Sequence, residues 1–287
     1  MNADNILKEL NLERTNLDFQ VNSISNLTKD ASHCIMFCNK IPYKDIYKSV
    51  HDCIIFYNQE VFPDMKDFDL IVSNVIIRVV YNPKWYVNQC IEKLSITKVF
   101  GLEYLGNQLL TKFGADTYVS PKSIVHNAII GDNCHIHDNV IIGNDDFCPI
   151  ESNNGDTLEL YAQIGNVVIG NNVHIFPFST VSRGTFQSTK IGDGTKIDHY
   201  CEVGHNCTVG KNVSLCAGVI MAGSSKIDDG TFVGVRSTIR SGVHVGKYCT
   251  IGQCSNVVKD VPDYAIVMGN PAKVVGYNDE KGWNYKV

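Results

Sequence analysis

His205 and Gly223 stand eighteen residues apart in a stretch where an aliphatic residue recurs at every sixth position. A histidine, with an unperturbed pKa of about 6.5, can take a proton at neutral pH and suits a general base acting on an amine or hydroxyl. A glycine lets a substrate approach its bare backbone N–H, and such a donor can hold a developing oxyanion. Side by side, the two make an acyl-transfer pair. The spacing alone leaves a second reading open, in which His205 is an exposed corner residue without chemistry, like His199 or His244.

What brings the two together is the repeat. Ile191, Ile197, Val203, Val209, Leu215, Met221, Ile227, Val233, Ile239, Val245, Ile251 and Val257 keep one register without a slip, and glycine follows many of them, as in Val203-Gly204 and Val245-Gly246. Neither the 3.6-residue period of a helix nor the two-residue period of a strand explains this, and hexapeptide repetition marks a parallel β-helix. Within each sextet the aliphatic and a small residue four places later face inward, and the other positions face out or turn the corner. His205, two places after Val203, is therefore outward, and Gly223 takes the same corner one coil on, about 4.8 Å away. The small inward slot holds Thr195, Val213, Ser225, Thr231, Ser237 and Ser255, and also Cys134, Cys201, Cys207 and Cys249. Free cysteine serves there as a small buried hydrophobe. Cys34 and Cys38 are spaced C-x-x-x-C with no second pair nearby, which argues against zinc.

Three segments are expected: a small α/β domain over 1–105, possessing no six-residue period; the β-helix over 106–262; and a short tail over 263–287. In the first, Asp4 to Arg14 reads as an amphipathic helix, His51 to Tyr57 and Leu70 to Val80 as strands, and Asn82-Pro83 as the start of a second helix. The repeat opens with Ile124, Ile130, Ile136 and Ile142, breaks off through a polar stretch, and resumes at Ile169, Ile175 and Val181. A loop that leaves a repeat in this way is usually functional or disordered. A smaller insertion falls at Gly184 to Lys190, and the sextets sum to about six coils.

The chain has 287 residues, is 44% hydrophobic and 19% charged, and carries a formal net charge of −5. Scattered basic residues on an acidic chain give no footprint for nucleic acid or an anionic membrane. The charged N-terminus lacks an apolar signal core, and no stretch approaches the roughly 18 apolar residues that span a bilayer, so a cytoplasmic location without membrane insertion is expected.

The stretch IGNVVIGNNVHIFPFSTVSRGTFQSTKIGDGTKIDHYCEVGHNCTVGKN, with the later MAGSSKI, resembles the LpxD family, the UDP-3-O-acylglucosamine N-acyltransferases. The resemblance implies a left-handed β-helix assembled as a homotrimer, His205 as the base and Gly223 as the oxyanion donor, with Asp198, His199 and Asn206 of the same segment binding substrate. It places Phe37 and Tyr43 of IMFCNKIPY against the nucleotide base, one residue out of the family's register. Asp145-Asp146-Phe147-Cys148 stands where the family has a loop rich in glycine and phenylalanine, and a second family histidine is replaced near Gly242. The GNPAK ending, Gly269 to Lys273, looks like that of coenzyme A dependent acetyltransferases of this fold, which makes Arg236, Arg240 and Lys273 candidates for the coenzyme A phosphates.

The expected activity is transfer of an acyl group, from acetyl-CoA, to the amine of a nucleotide-linked amino sugar for surface polysaccharide or O-antigen, with no metal and no permanently bound cofactor. The alternative is the lipid A reaction, in which acyl carrier protein brings a 3-hydroxyacyl chain. More remote are a γ-type carbonic anhydrase, invited by His199 and His205, and a scaffold without catalysis.

Overall fold

The computed structural model describes residues 111–152 and 155–279 and, ahead of them, the helices Ala3–Glu9 and Pro83–Leu94 and the strands named below, with Leu10 and Val21. The chain divides into two compact units, Met1–Asn107 with Phe147–Ala162, and Gln108–Asp146 with Gln163–Val287.

The second unit is a parallel β-helix. Each coil lays one short strand on each of three faces. The first face runs from Lys112–Phe113 through Thr208–Val209 to His244–Val245, and the third from Ile124–Val125 through Glu202–Val203 to Asn256–Val257, with seven strands each. The second face has nine, from Tyr118–Val119 through Lys196–Ile197 to Lys273–Tyr277. Strands pair in parallel with the equivalent strand one coil away, as Val203 does with Met221 and Ile197 with Leu215. The inward aliphatics from Ile130 to Val257 are at most 2% exposed and form one continuous core. Burial of each contributes about 1.5–3 kcal/mol.

At the start of the solenoid the register differs from the expected one. Ile124 is 55% exposed, and Val125 packs against the core in its place, paired with Ile142. Five residues rather than six then separate Val125 from Ile130, and Asn127 makes the turn at φ 49°. Two further strands, Lys112–Phe113 and Tyr118–Val119, precede it and complete the first coil, so two faces carry seven strands where the sextets summed to about six coils. Beyond residue 263, Ala265–Met268 continues the second face in parallel and Lys273–Tyr277 turns back on it antiparallel.

The first unit contains a seven-stranded sheet in the order Ile71–Val72, Val75–Val80, Cys53–Asn58, Cys34–Cys38, Ser23–Ile24, Lys98–Val99, Leu102–Glu103, parallel in the middle and antiparallel at both edges. In place of the single strand expected from Leu70 to Val80 there are two antiparallel strands, Ile71–Val72 and Val75–Val80, with Val72 opposite Val75. Helix Pro83–Leu94 starts on the proline that the cap signal placed there, and Tyr86 of that helix stacks on Phe56 at 5.3 Å. Most of the interruption of the repeat belongs to this unit. It forms the hairpin Pro149–Glu151 and Leu158–Leu160, tied down where Trp85 Nε1 donates to Glu159 Oε1 at 3.0 Å and Ala162 N to Asn88 Oδ1 at 2.7 Å.

In the small inward slot, Thr195 Oγ1, Thr231 Oγ1 and Ser237 Oγ each donate at 2.8 Å to a carbonyl of the next coil. Thiols do the same at Cys201, Cys134 and Cys249, each at 3.1 Å. A thiol thus replaces a hydroxyl without leaving a buried group unpaired. Burial pushes the Cys201 thiol up to about 12 and the Cys249 thiol up to about 11. Since the thiolate is the reacting form, both are nearly all thiol at pH 7.5. Iodoacetamide applied to the folded protein at that pH should label the exposed Cys254 and spare Cys201 and Cys249, as peptide mass mapping would show.

Candidate functional site

The corner between the third and first faces carries the chemistry. Val203 is fully buried, so the sextet sends Gly204 and His205 outward. Gly223 lies directly against the imidazole: a Cβ built there would come 2.3 Å from His205 Cε1 and 2.5 Å from Nε2. No residue but glycine fits beneath the ring as it stands.

A third residue joins them from the point where the repeat breaks. Asp146 Oδ2 accepts from the His205 backbone N at 2.9 Å and lies 2.7 Å from its Nδ1, with the two side chains 16% and 20% exposed. A carboxylate at that distance fixes a proton on Nδ1 and leaves the lone pair on Nε2. Asp146 is in turn held by Gln163. Its N donates to Gln163 Oε1 at 2.9 Å and its carbonyl accepts from Gln163 Nε2 at 3.1 Å, which closes the base of the insertion. Gly204 makes room, since a Cβ there would meet Gly223 N at 2.9 Å and Asp146 Oδ2 at 3.2 Å.

The Gly223 N–H contrasts with several N–H groups on the corner between the first and second faces. Two places after the inward aliphatic, the N–H of Asp132, Asn171, Lys211 and Lys247 is capped by a side-chain oxygen of Asn171, Asp193, Asp229 and Asp263, at 2.7–2.9 Å. At Gly223 the residue one coil on is Ser241, whose Oγ donates to the Gly223 carbonyl at 2.7 Å. Among the described residues the Gly223 N–H has no acceptor. It is a rigidly held, open donor beside an imidazole with an open lone pair.

Other expected site residues fall elsewhere. Asp198 and His199 pair at 2.6 Å on the neighbouring corner, between the second and third faces, where Asp198 also accepts from Ala217 N at 3.1 Å. Burial pushes the Asp198 carboxyl up, and the hydrogen bonds from His199 outweigh it and hold it below the ordinary value. His199 and His205 thus stand on different corners. Asn206 adjoins His205, but its amide is turned to Thr185: Oδ1 accepts from Thr185 N at 2.9 Å and Nδ2 donates to Thr185 Oγ1 at 3.2 Å. It clamps the smaller insertion. Arg240, exposed, is on the His205 corner, following inward Ile239 as Ala222 follows Met221. Arg236 is on the neighbouring corner, and Lys273 opens the last strand. Phe37 lies in the strand Cys34–Cys38, paired with Phe56, and Tyr43 lies outside the described residues.

The GNPAK segment has a structural task. Asn256 N donates to the Gly269 carbonyl at 2.9 Å, Ala272 N to the Asn256 carbonyl at 2.8 Å, and Asn256 Nδ2 to Asn270 Oδ1 at 3.1 Å, so the segment closes the last coil of the third face.

Residues 188–223 match the model of the bacterial transferase hexapeptide (six repeats), and residues 226–253 that of the hexapeptide repeat of succinyl-transferase. A UDP-3-O-acylglucosamine N-acyltransferase of Methylobacterium nodulans is 34% identical over 153 residues, 53% of this chain and 43% of the relative. The chain carries hexapeptide repeats over these residues and is similar to the UDP-3-O-acylglucosamine N-acyltransferases. An acyl-[acyl-carrier-protein]–UDP-N-acetylglucosamine O-acyltransferase of Burkholderia lata is 35% identical over 117 residues, 40% of this chain and 45% of the relative. The chain thus spans about half the length of the curated relatives it matches. Among solved structures, the UDP-N-acetylglucosamine acyltransferase from Campylobacter jejuni superposes with a TM-score of 0.52 at 28% identity, over 59% of this chain and 64% of that one. The fold is the left-handed parallel β-helix that the family resemblance implies. Among the described residues no helix is long and apolar enough to cross a membrane.

Asp146, Gln163 and Ser241 were not foreseen. In the sequence Asp146 is only one of the residues of Asp145-Asp146-Phe147-Cys148, within the interruption of the repeat. Because the His205 ring occupies the space that a side chain at Gly223 needs, Gly223→Ala should push the imidazole off Asp146. The low-field Nδ1 proton resonance expected of the His205–Asp146 pair should then be lost while the circular dichroism of the solenoid is kept.

Proposed function

We propose that the chain is an acyltransferase that moves an acyl group from a thioester to the amine of a nucleotide-linked amino sugar. The observation that carries this is the open Gly223 N–H beside an imidazole whose Nδ1 is engaged by Asp146. The sugar nitrogen attacks the thioester carbonyl carbon while His205 Nε2 takes its proton. The carbonyl oxygen becomes an oxyanion, held by Gly223 N–H. Collapse breaks the carbon–sulfur bond, and the proton on His205 passes to the leaving thiolate, so that amide and free thiol are the products. Asp146 keeps the ring in the right tautomer and steadies the imidazolium that forms.

The relatives' names favour the lipid A type of donor, an acyl chain on carrier protein, over the acetyl-CoA that the GNPAK ending led us to expect. GNPAK closes a coil here, so its presence does not by itself call for a coenzyme. Arg240, exposed on the same corner, is the candidate to meet a phosphate of the donor or of the nucleotide.

His205→Ala should lower kcat by about 10²- to 10⁴-fold with the fold intact. Asp146→Asn should lower it at least about tenfold, because the carboxylate that sets the tautomer is gone. Full turnover by His205→Ala would remove the base from the mechanism. With UDP-linked amino sugars as acceptor, 3-hydroxyacyl carrier protein should outperform acetyl-CoA as donor; the reverse order would restore the acetyl-CoA reading.

A further inference from the structure

The corner between the second and third faces carries a column of residues that the acyl-transfer site leaves unused. Two places before each strand of the third face after the first stand Asn139, Phe178, Tyr200, Gly218, Arg236 and Cys254, one per coil, all in the left-handed region. Asparagine and glycine take that conformation readily, whereas for bulky side chains it is rare and costs free energy. Phe178 at φ 63° and Tyr200 at φ 57° adopt it nonetheless, and both remain in water, 51% and 64% exposed. Their rings are stacked at 5.2 Å and only 6° from parallel. Neither aromatic ring serves the core.

The next layer of the stack has no side chain of its own. Gly218 leaves the outer face of Tyr200 without a ring, and the layer after it belongs to Arg236, whose Cγ would lie 3.2 Å from a Cβ built on Gly218. Tyr200 and Arg236 are two coils apart, about 9.6 Å at the usual strand spacing. A planar ring in contact on both faces needs about 7 Å. One flat ring therefore fits, provided that the Arg236 stem swings off Gly218 and its guanidinium covers the ring.

We propose that Tyr200, Gly218 and Arg236 form a stacking site for a nucleobase, with Phe178 supporting Tyr200 from behind. An aromatic face on one side and a guanidinium on the other is the combination that holds bases without reading their sequence. The positive charge beside the slot suits a base that carries phosphates. The class of ligand rests on the acyl-transfer reading, since a nucleotide sugar and a coenzyme A donor each carry a base. Glu202, outward on the strand that separates this corner from His205, would repel a diphosphate laid across that face, so the slot is a site in its own right.

Binding is measured by calorimetry on the full chain, with UMP and UDP in one arm and adenosine 3′,5′-bisphosphate and coenzyme A in the other. The expected result is saturable binding in one arm, weakened about tenfold or more by Tyr200→Asn, by Arg236→Gln and by Gly218→Asn, which fills the layer with a residue that accepts the left-handed conformation. His205→Ala should bind as the parent does. Because the readout needs no turnover, failure of the acyl-transfer reading and failure of the slot are told apart. The proposal is overturned if no probe binds the parent protein, or if Tyr200→Asn and Gly218→Asn leave affinity unchanged. A changed mass in sedimentation for Tyr200→Asn with affinity intact would make the column a contact between copies of the chain instead.

Discussion

Everything in the solenoid depends on coil-to-coil register. Because each inward aliphatic sits on its counterpart one coil away, a residue's place in its sextet fixes both its burial and its neighbours. A slip of one residue would turn the buried row outward and expose it. Where the chain does shorten a step, between Val125 and Ile130, it uses Asn127 in the left-handed region to recover the phase within one corner. The same constraint that stacks Val203 on Met221 stacks His205 on Gly223.

The site is made where regularity fails. At four positions on the corner between the first and second faces, the N–H two places after the inward aliphatic is capped by an Asx side chain. The His205 corner departs twice. Ser241 donates to the Gly223 carbonyl and so leaves the N–H open, and Asp146 comes from the base of an insertion to hold the imidazole. Gln163 joins the two ends of that insertion through reciprocal amide bonds, so the carboxylate stands on a stapled base although a hairpin departs directly after it.

Much of this was legible in the sequence because period six converts spacing into contact. The inward thiols of Cys201, Cys207 and Cys249, the outward turn of His205 and its meeting with Gly223 all follow from phase alone. Asp146 did not follow, because it reaches His205 across 59 residues and lies where the phase is interrupted. Ile124 was misplaced for a related reason: Ile124 and Val125 are both aliphatic, so composition does not choose between them, and the five-residue step does. Asp198, His199 and Asn206 share a segment with His205, yet on a coil that turns every six residues sequence proximity places Asp198 and His199 on another corner, and the Asn206 amide is taken up by Thr185. The GNPAK ending, read as donor recognition, also closes a coil, a task that the motif by itself does not announce.

The central claim is that His205 Nε2 and Gly223 N–H face the two sides of one reacting carbonyl. The most direct measurement is a crystal structure with a stable ketone analogue of the acyl thioester and an amino-sugar nucleotide bound. The claim predicts the ketone oxygen about 2.7–3.1 Å from Gly223 N, and the sugar nitrogen about 2.6–3.2 Å from His205 Nε2. A ketone bound with its oxygen turned from Gly223, or a sugar nitrogen on a corner other than that of His205, would contradict it.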